Sequence, residues 1–169
     1  MRSILLIGFM GAGKSTIGNT LAKKLGYPLI DLDDLITEKI GMPINTYFNQ
    51  HGEAAFRQVE TAVLKDNLTT DAIVATGGGI VVNELNRNLL KSHPQVIYLQ
   101  ADSETLIRRI KNDTQNVRPL ASEKKEDTII SLLNSRLKHY EESAAIIIDT
   151  SQRHPDEIVA EIIERLEKA

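Results

Sequence analysis

Eight residues near the amino terminus constrain this chain more than any other feature. Gly8-Phe9-Met10-Gly11-Ala12-Gly13-Lys14-Ser15 fits the pattern G-x-x-x-x-G-K-[ST]. Its surroundings matter as much as its letters. The apolar run Ile4 to Ile7 before it is strand-sized, and Ile17, Leu21 and Leu25 after it recur at helical spacing from Lys14 to Leu25. Glycines let backbone N–H groups turn toward an anion, the following helix presents its positive end, Lys14 brings a point charge to the outer phosphates, and Ser15 can hold a divalent cation. Thr16 is a further candidate phosphate contact. The segment therefore reads as a strand, a phosphate-cradling loop and a helix that together take a nucleoside triphosphate.

Composition limits what surrounds this loop. At 169 residues the chain suits one domain with a self-sufficient core. A formal net charge of −3 provides no general basic field for nucleic acid or an anionic membrane. The absence of cysteine excludes a disulfide scaffold, a thiolate zinc site and a Cys nucleophile, and fits a cytoplasmic protein. The apolar run at the amino terminus stops at Gly8, too short for a signal segment or a membrane span.

Downstream, Leu29-Ile30 reads as a second strand leading into Asp31-Leu32-Asp33-Asp34 and a helix to Ile40. Pro43 opens a short helix that His51-Gly52 separates from a longer one reaching Leu68. Strands are expected at 72–75, 96–99 and 144–148, and helices at 83–90, 103–110, 127–142 and from Pro155 onward. Residues 111–125 lack an apolar period and read as a mobile surface loop. Five alternations of strand and helix predict an α/β domain with a parallel sheet covered on both faces.

The loop alone does not distinguish a phosphotransferase from a nucleotide switch. The D-x-x-G and N-K-x-D strings of a GTPase switch are missing from the sequence, which disfavours the switch. The strand at 72–75 runs into Thr76 and three glycines rather than an aspartate, so metal support must come from elsewhere. Asp31 and Asp33 emerge at the sheet edge where α/β proteins bind ligands. One could support Mg²⁺ and the other meet a hydroxyl; equally, with Asp34, they could cap the next helix. Gly77-Gly78-Gly79 either admits a ligand close to backbone or makes a tight turn.

Three arginines stand out. Arg136 shares a helix sector with Ile129, Leu132, Leu133, Leu137 and Tyr140, a costly place for a cation unless an anion meets it, by ligand or by salt bridge, or unless the side chain snorkels. Arg57 points away from the stripe of Ala55, Phe56, Val59 and Val63, with Glu60 as a helix-surface partner. Arg118 lies in the polar loop, as a solvated side chain or as a movable cation for phosphate transfer. His51, His93, His139 and His154 show no metal-ligand spacing and read as surface or packing residues.

Taken together, these residues resemble the shikimate kinase family. The resemblance rests on the phosphate loop, Asp31-Leu32-Asp33, Gly52-Glu53 with Phe56-Arg57 and Glu60, Gly77-Gly78-Gly79, Arg118-Pro119-Leu120, and Arg136 four residues before Tyr140. It runs from Ile4 to about Pro155. It implies a single P-loop kinase domain over 1–169, a five-stranded parallel sheet with helices on both faces, a substrate-binding helical segment at about 33–60, and a lid at about 111–125. The implied reaction is Mg²⁺- and ATP-dependent phosphorylation of the 3-hydroxyl of shikimate, by a cytoplasmic monomer with neither nucleic acid nor membrane as partner.

Carried over residue by residue, the resemblance makes Arg57 and Arg136 the clasp for the substrate carboxylate. Asp33 and the backbone of Gly78 and Gly79 would hold the hydroxyls. Asp33 is the candidate base, and Lys14 and Arg118 complete the catalytic set. Gly11, Ala12, Gly13, Lys14, Ser15 and Thr16 would bind ATP phosphates, while Ser15 and Asp31 would support Mg²⁺, Asp31 through water. Arg109 and Arg153 would lie near adenine, along with Pro155; the long stretch before Arg118 leaves Arg108 as the alternative to Arg109. Ala121 departs from the second leucine usual after Arg-Pro-Leu. A gluconate kinase is the runner-up within the enzyme class, and a nucleotide-binding module without catalysis is the rival outside it.

Overall fold

A computed structural model describes residues 3–112 and 126–168. Five parallel strands, β1 (Ile4–Ile7), β2 (Leu29–Asp31), β3 (Ile73–Ala75), β4 (Val96–Gln100) and β5 (Ile146–Asp149), lie in the order β2-β3-β1-β4-β5. Helices α1 (Lys14–Leu25), α2 (Leu32–Ile40), α3 (Ile44–Asp66), α4 (Glu84–Lys91), α5 (Ser103–Asn112), α6 (Glu126–Ser143) and α7 (Pro155–Lys168) connect and follow them. Every residue of the central strand β1 is buried, as a strand covered on both faces requires. At the sheet edge, β5 alternates instead: Ile146 and Ile148 are buried while Ile147 and Asp149 are exposed.

Local chemistry explains several boundaries. Gly13 precedes α1 in the left-handed region at φ 94°, and Gly26 ends it in the same region, donating its N–H to the Ala22 carbonyl. The break expected at His51-Gly52 survives as a kink in one long helix: Gly52 adopts φ 86° and ψ 172° inside α3. The long helix also stops at Asp66, short of the expected Leu68, where the Asn67 N–H closes onto Leu64 and Lys65 carbonyls. The edge strand begins at Ile146 rather than Ala144. The α5 helix runs on through Lys111 and Asn112, past the expected end at Ile110 and into the segment expected to form a lid. The rest of that lid, with Arg118 and Ala121, lies outside the described residues.

The strand order brings three loops together. Asp31 pairs in register with Ala75, and Ala75 with Leu6, so the carboxyl ends of β2, β3 and β1 are level. Two residues further along each chain lie Asp33, Gly77 and Gly8. Neighbouring strands thus place the carboxylates, the glycine run and the phosphate loop side by side, at the edge where open α/β sheets bind ligands. Among the described residues, no helix is long and apolar enough to cross a membrane.

Candidate active site

At the end of β1, the Lys14 ammonium turns back over the loop and donates to the carbonyls of Gly8 and Phe9, the latter at 3.1 Å. Ser15 and Thr16 are exposed at the start of α1. Behind the loop, Thr76 donates its hydroxyl to the Leu6 carbonyl at 2.9 Å, so the position where an aspartate was missed serves to tie β3 to β1.

The Asp31 carboxylate caps α2: Oδ1 accepts the Asp33 N–H at 2.9 Å. Capping leaves Oδ2 without that duty, so the two readings of Asp31 are compatible. An oxygen-only set of the Ser15 hydroxyl and one Asp31 oxygen fits Mg²⁺, which prefers oxygen and is bound by one or two protein ligands plus phosphates. Asp33 sits in the first turn of α2, half-buried, and burial pushes its carboxyl above the usual aspartate range. Asp31 adds to that rise, and Lys14 opposes it.

The three glycines after β3 lie against Asp33, Arg57, Arg136 and the loop backbone at Gly8 and Met10. A Cβ on Gly77 would come within 2.8 Å of an Asp33 carboxylate oxygen, and one on Gly79 within 3.0 Å of both Arg57 terminal nitrogens. A Cβ on Gly78 would lie 3.9 Å from Arg136 Nη1 and 3.9 Å from the Gly8 carbonyl oxygen. The run is therefore more than a turn. The Tyr140 hydroxyl donates to the Gly78 carbonyl from α6, and its ring stacks on Tyr98 of β4 with centroids 5.1 Å apart. Burial raises the Tyr140 hydroxyl to about 12, against the opposing charge of Arg136, so it stays a donor at neutral pH.

Arg57 and Arg136 line one open cavity of about 260 Å³, together with Glu53, Val82, Leu132, Ser135 and His139. Arg57 donates through Nη1 to Glu60 Oε1 and Oε2 at 3.0 and 3.1 Å, and to the Gly79 carbonyl at 3.1 Å. The expected surface pair with Glu60 is corrected by burial: Glu60 is only 2% exposed. The guanidinium takes its carboxylate inward and still reaches the cavity. Among the described residues, no carboxylate pairs with Arg136, whose side chain hydrogen-bonds the Tyr140 hydroxyl.

The cavity wall adds Val82 and Ser135, and it includes His139, expected as a surface or packing residue. Leu132, Ser135, Arg136 and His139 recur at i, i+3, i+4 and i+7, one stripe of α6, while Ile129, Leu133 and Tyr140 form the buried stripe beside it. Arg136 lies at the border of the two, and the stripe at that spacing was the available signal for His139.

On the other side of the phosphate loop, Arg109 donates to the Gly11 carbonyl at 3.2 Å and to the Thr150 carbonyl at 2.9 Å. Arg108 is exposed on the next face of α5, so of the two it is Arg109 that reaches the loop. Arg153 is held by the Asp149 carbonyl at 2.8 Å and by Glu161 at 2.7 Å, just past the end of β5.

This geometry joins the glycine loop after β1 to a cavity lined by two arginines through one glycine run. A profile of the family described as shikimate kinase matches residues 10–167. The chain belongs to the shikimate kinase family. It is 54% identical over 168 residues to the shikimate kinase of Enterococcus faecalis, covering 99% of this chain and all of that one. It is 46% identical over 165 residues to that of Lactococcus lactis subsp. cremoris strain MG1363, covering 98% of each. In three dimensions it superposes with a TM-score of 0.87 on the shikimate kinase from Acinetobacter baumannii in complex with shikimate, at 35% identity, covering 99% of this chain and 94% of that one. The five-stranded α/β sheet matches that P-loop kinase fold throughout.

Proposed function

We propose that the protein transfers the γ-phosphate of ATP to the 3-hydroxyl of shikimate, a step toward aromatic amino acids. The observation that carries this reading is the cavity in which Arg57 and Arg136 converge, beside Asp33 and within reach of the phosphate loop through Gly77, Gly78 and Gly79. Two guanidinium groups suit a carboxylate, and a carboxylate plus the backbone of Gly78 and Gly79 suits neighbouring hydroxyls. Acid recognition thus fixes the substrate at one end while its hydroxyl faces ATP at the other.

In this reading the backbone of Gly11, Ala12 and Gly13, with Ser15 and Thr16, binds the phosphates, and Lys14 swings from the Gly8 and Phe9 carbonyls to the transferring group. Asp33 accepts the hydroxyl proton as the oxygen attacks phosphorus; its raised pKa brings its basicity nearer to what proton removal at neutral pH demands. Ser15 and Asp31 would hold Mg²⁺, Asp31 through water. When bound there, the ion would supply positive charge to offset the charge that develops on the phosphates in transfer. Arg109 and Arg153 would flank adenine, and Arg118 would bring a further cation to the phosphates. The reading extends to a cytoplasmic site of action.

The deciding experiment incubates the protein with Mg²⁺ and ATP beside shikimate, gluconate or nucleoside monophosphates and identifies the product by mass spectrometry. Shikimate 3-phosphate as the main product is expected. Phosphogluconate would install the other sugar-acid kinase, and no phosphorylated product would leave a binding module.

A further inference from the structure

Behind Arg57 runs a line of side-chain hydrogen bonds with no role in the reaction as described so far. It starts at Asn83, whose Oδ1 accepts the Leu85 N–H at 2.9 Å and so caps α4. Because that cap commits the amide oxygen, Nδ2 is the end that donates to Thr61 Oγ1 at 3.3 Å. The Thr61 hydroxyl then donates to Asn86 Oδ1 at 2.6 Å, which commits Asn86 in turn to present Nδ2, and this donates to Glu60 Oε1 at 3.0 Å. Every donor direction follows from the helix cap. The line ends on an oxygen that must accept, and Arg57 is the group it accepts from.

The placement is deep. Asn86 is fully buried and Glu60 nearly so. Burial alone would leave Glu60 short of partners and favour its neutral form; Arg57 and the Asn86 amide both favour the carboxylate. Glu60 holds Arg57 by a single nitrogen, Nη1, rather than by the two-pronged fork. That choice leaves Nη2 at the cavity, 3.9 Å from the half-exposed Glu53, on the side where a bound acid would lie.

We propose that Asn86 is a positioning residue for substrate binding: oriented by Thr61 and the α4 cap, it fixes the Glu60 carboxylate so that Arg57 keeps Nη2 directed at the substrate carboxylate. This rests on the reading of the cavity as the shikimate site. Asn86 touches no substrate. It acts through Glu60, and the α4 cap through both, so the helix whose cap lies four residues after Gly79 helps to aim the acid clasp.

The test compares Asn86→Leu, close in size but without the donor, with Thr61→Val, which frees the Asn86 amide to turn around at a less buried position. Initial rates with shikimate and ATP varied separately give both KM values, and thermal melts show that each variant is folded. Loss of one hydrogen bond to a charged group predicts a shikimate KM raised by roughly ten-fold in Asn86→Leu and by a smaller factor in Thr61→Val. The KM for ATP should stay within about two-fold in both, a split that general loosening would not give. Asn86→Asp supplies the conservative rescue. Its protonated acid can donate to Glu60 as the amide does, so its shikimate KM should approach the parent's at low pH and rise as that proton leaves; Arg57, Asp33 and Glu53 are the other charges near the pair. A folded Asn86→Leu or Thr61→Val protein with unchanged shikimate KM, or with both KM values raised alike, would overturn the proposal. Arg57→Ala is the control: if it leaves shikimate KM unchanged as well, the cavity reading fails, and if it alone raises KM, only the role of Asn86 does.

Discussion

Gly77 and Asp33 are in such close apposition that the smallest side chain at one position displaces the other: a Cβ on Gly77 would stand 2.8 Å from one carboxylate oxygen and 3.2 Å from its twin. No backbone strain accompanies the change, because Gly77 is not among the glycines with positive φ. Gly77→Ala should therefore keep the fold and move the proposed base. Misplacement by about 1 Å can cost up to ~100-fold, so kcat should fall by about 10- to 100-fold while the KM for ATP holds. Steady-state kinetics beside a thermal melt check this; normal kcat in the folded variant would mean that the carboxylate's position is not critical.

That apposition was not legible in the sequence, and the reason is physical. The strand periods and the glycine loop are local signals, so β1 and α1 could be read from Ile4 to Leu25 alone, and the α/β class from the alternation of such segments along the chain. The neighbour relation of Asp33 and Gly77 comes instead from strand order, with β2 beside β3, which no local pattern encodes. The same holds for Glu60. Its position three residues after Arg57 suggests an exposed helix pair, and only the packing of α4 against α3 buries it, through Asn86 and Thr61. Arg136 was conspicuous because a charge in an apolar sector is conspicuous anywhere, whereas His139, on the same wall, carried no such contrast.

Asp33→Asn tests chemistry and stability with opposite signs. The variant cannot accept the hydroxyl proton, and kcat should fall by ~100-fold or more with shikimate affinity little changed by titration calorimetry. For the parent, kcat/KM should drop as pH falls through the raised pKa of Asp33, since the carboxylate is the active form. Stability runs the other way. A carboxyl whose folded pKa lies above its unfolded value binds more protons folded than unfolded between those two values, so the fold loses stability as pH rises through that window. Asn carries no such cost, so Asp33→Asn should melt higher than the parent at neutral pH, with the difference gone below the ordinary aspartate range. Equal melting at pH 7 would mean that Asp33 is not held at a cost to the fold.

Lys14→Met should separate the phosphate loop from the rest of the site. The ammonium now bonds the Gly8 and Phe9 carbonyls, which are also loop residues, and the methionine can lie along the same path without a charge. Removal of a preorganised electrostatic donor costs about 100- to 1,000-fold in rate, so kcat should drop at least ~100-fold. Shikimate binding, measured without ATP, should persist because Arg57 and Arg136 are untouched. A folded variant with near-normal turnover would refute the phosphate-loop role of Lys14.

Arg136 offers the sharpest comparison, because it and Arg57 face the same cavity with different support. Arg57 is tied to buried Glu60, so its removal strands a carboxylate and must cost stability as well as binding. Arg136 has no carboxylate partner among the described residues, and its removal should cost binding chiefly. A charge-assisted hydrogen bond is worth ~1.5–3 kcal/mol, so Arg136→Ala should lower kcat/KM for shikimate by roughly 10- to 150-fold, leave the KM for ATP close to the parent value and shift the melting temperature little. Arg136→Lys should recover only part of the loss, since an ammonium keeps the charge but not the two-pronged geometry. Gly79→Ala supplies an independent approach to the other arm of the clasp: its Cβ would press both Arg57 terminal nitrogens at 3.0 Å, and shikimate KM should rise although neither arginine has been changed. If Arg136→Ala instead lowered the melting temperature and left shikimate kinetics untouched, Arg136 would belong to the framework of α6, and the carboxylate clasp would reduce to Arg57 alone.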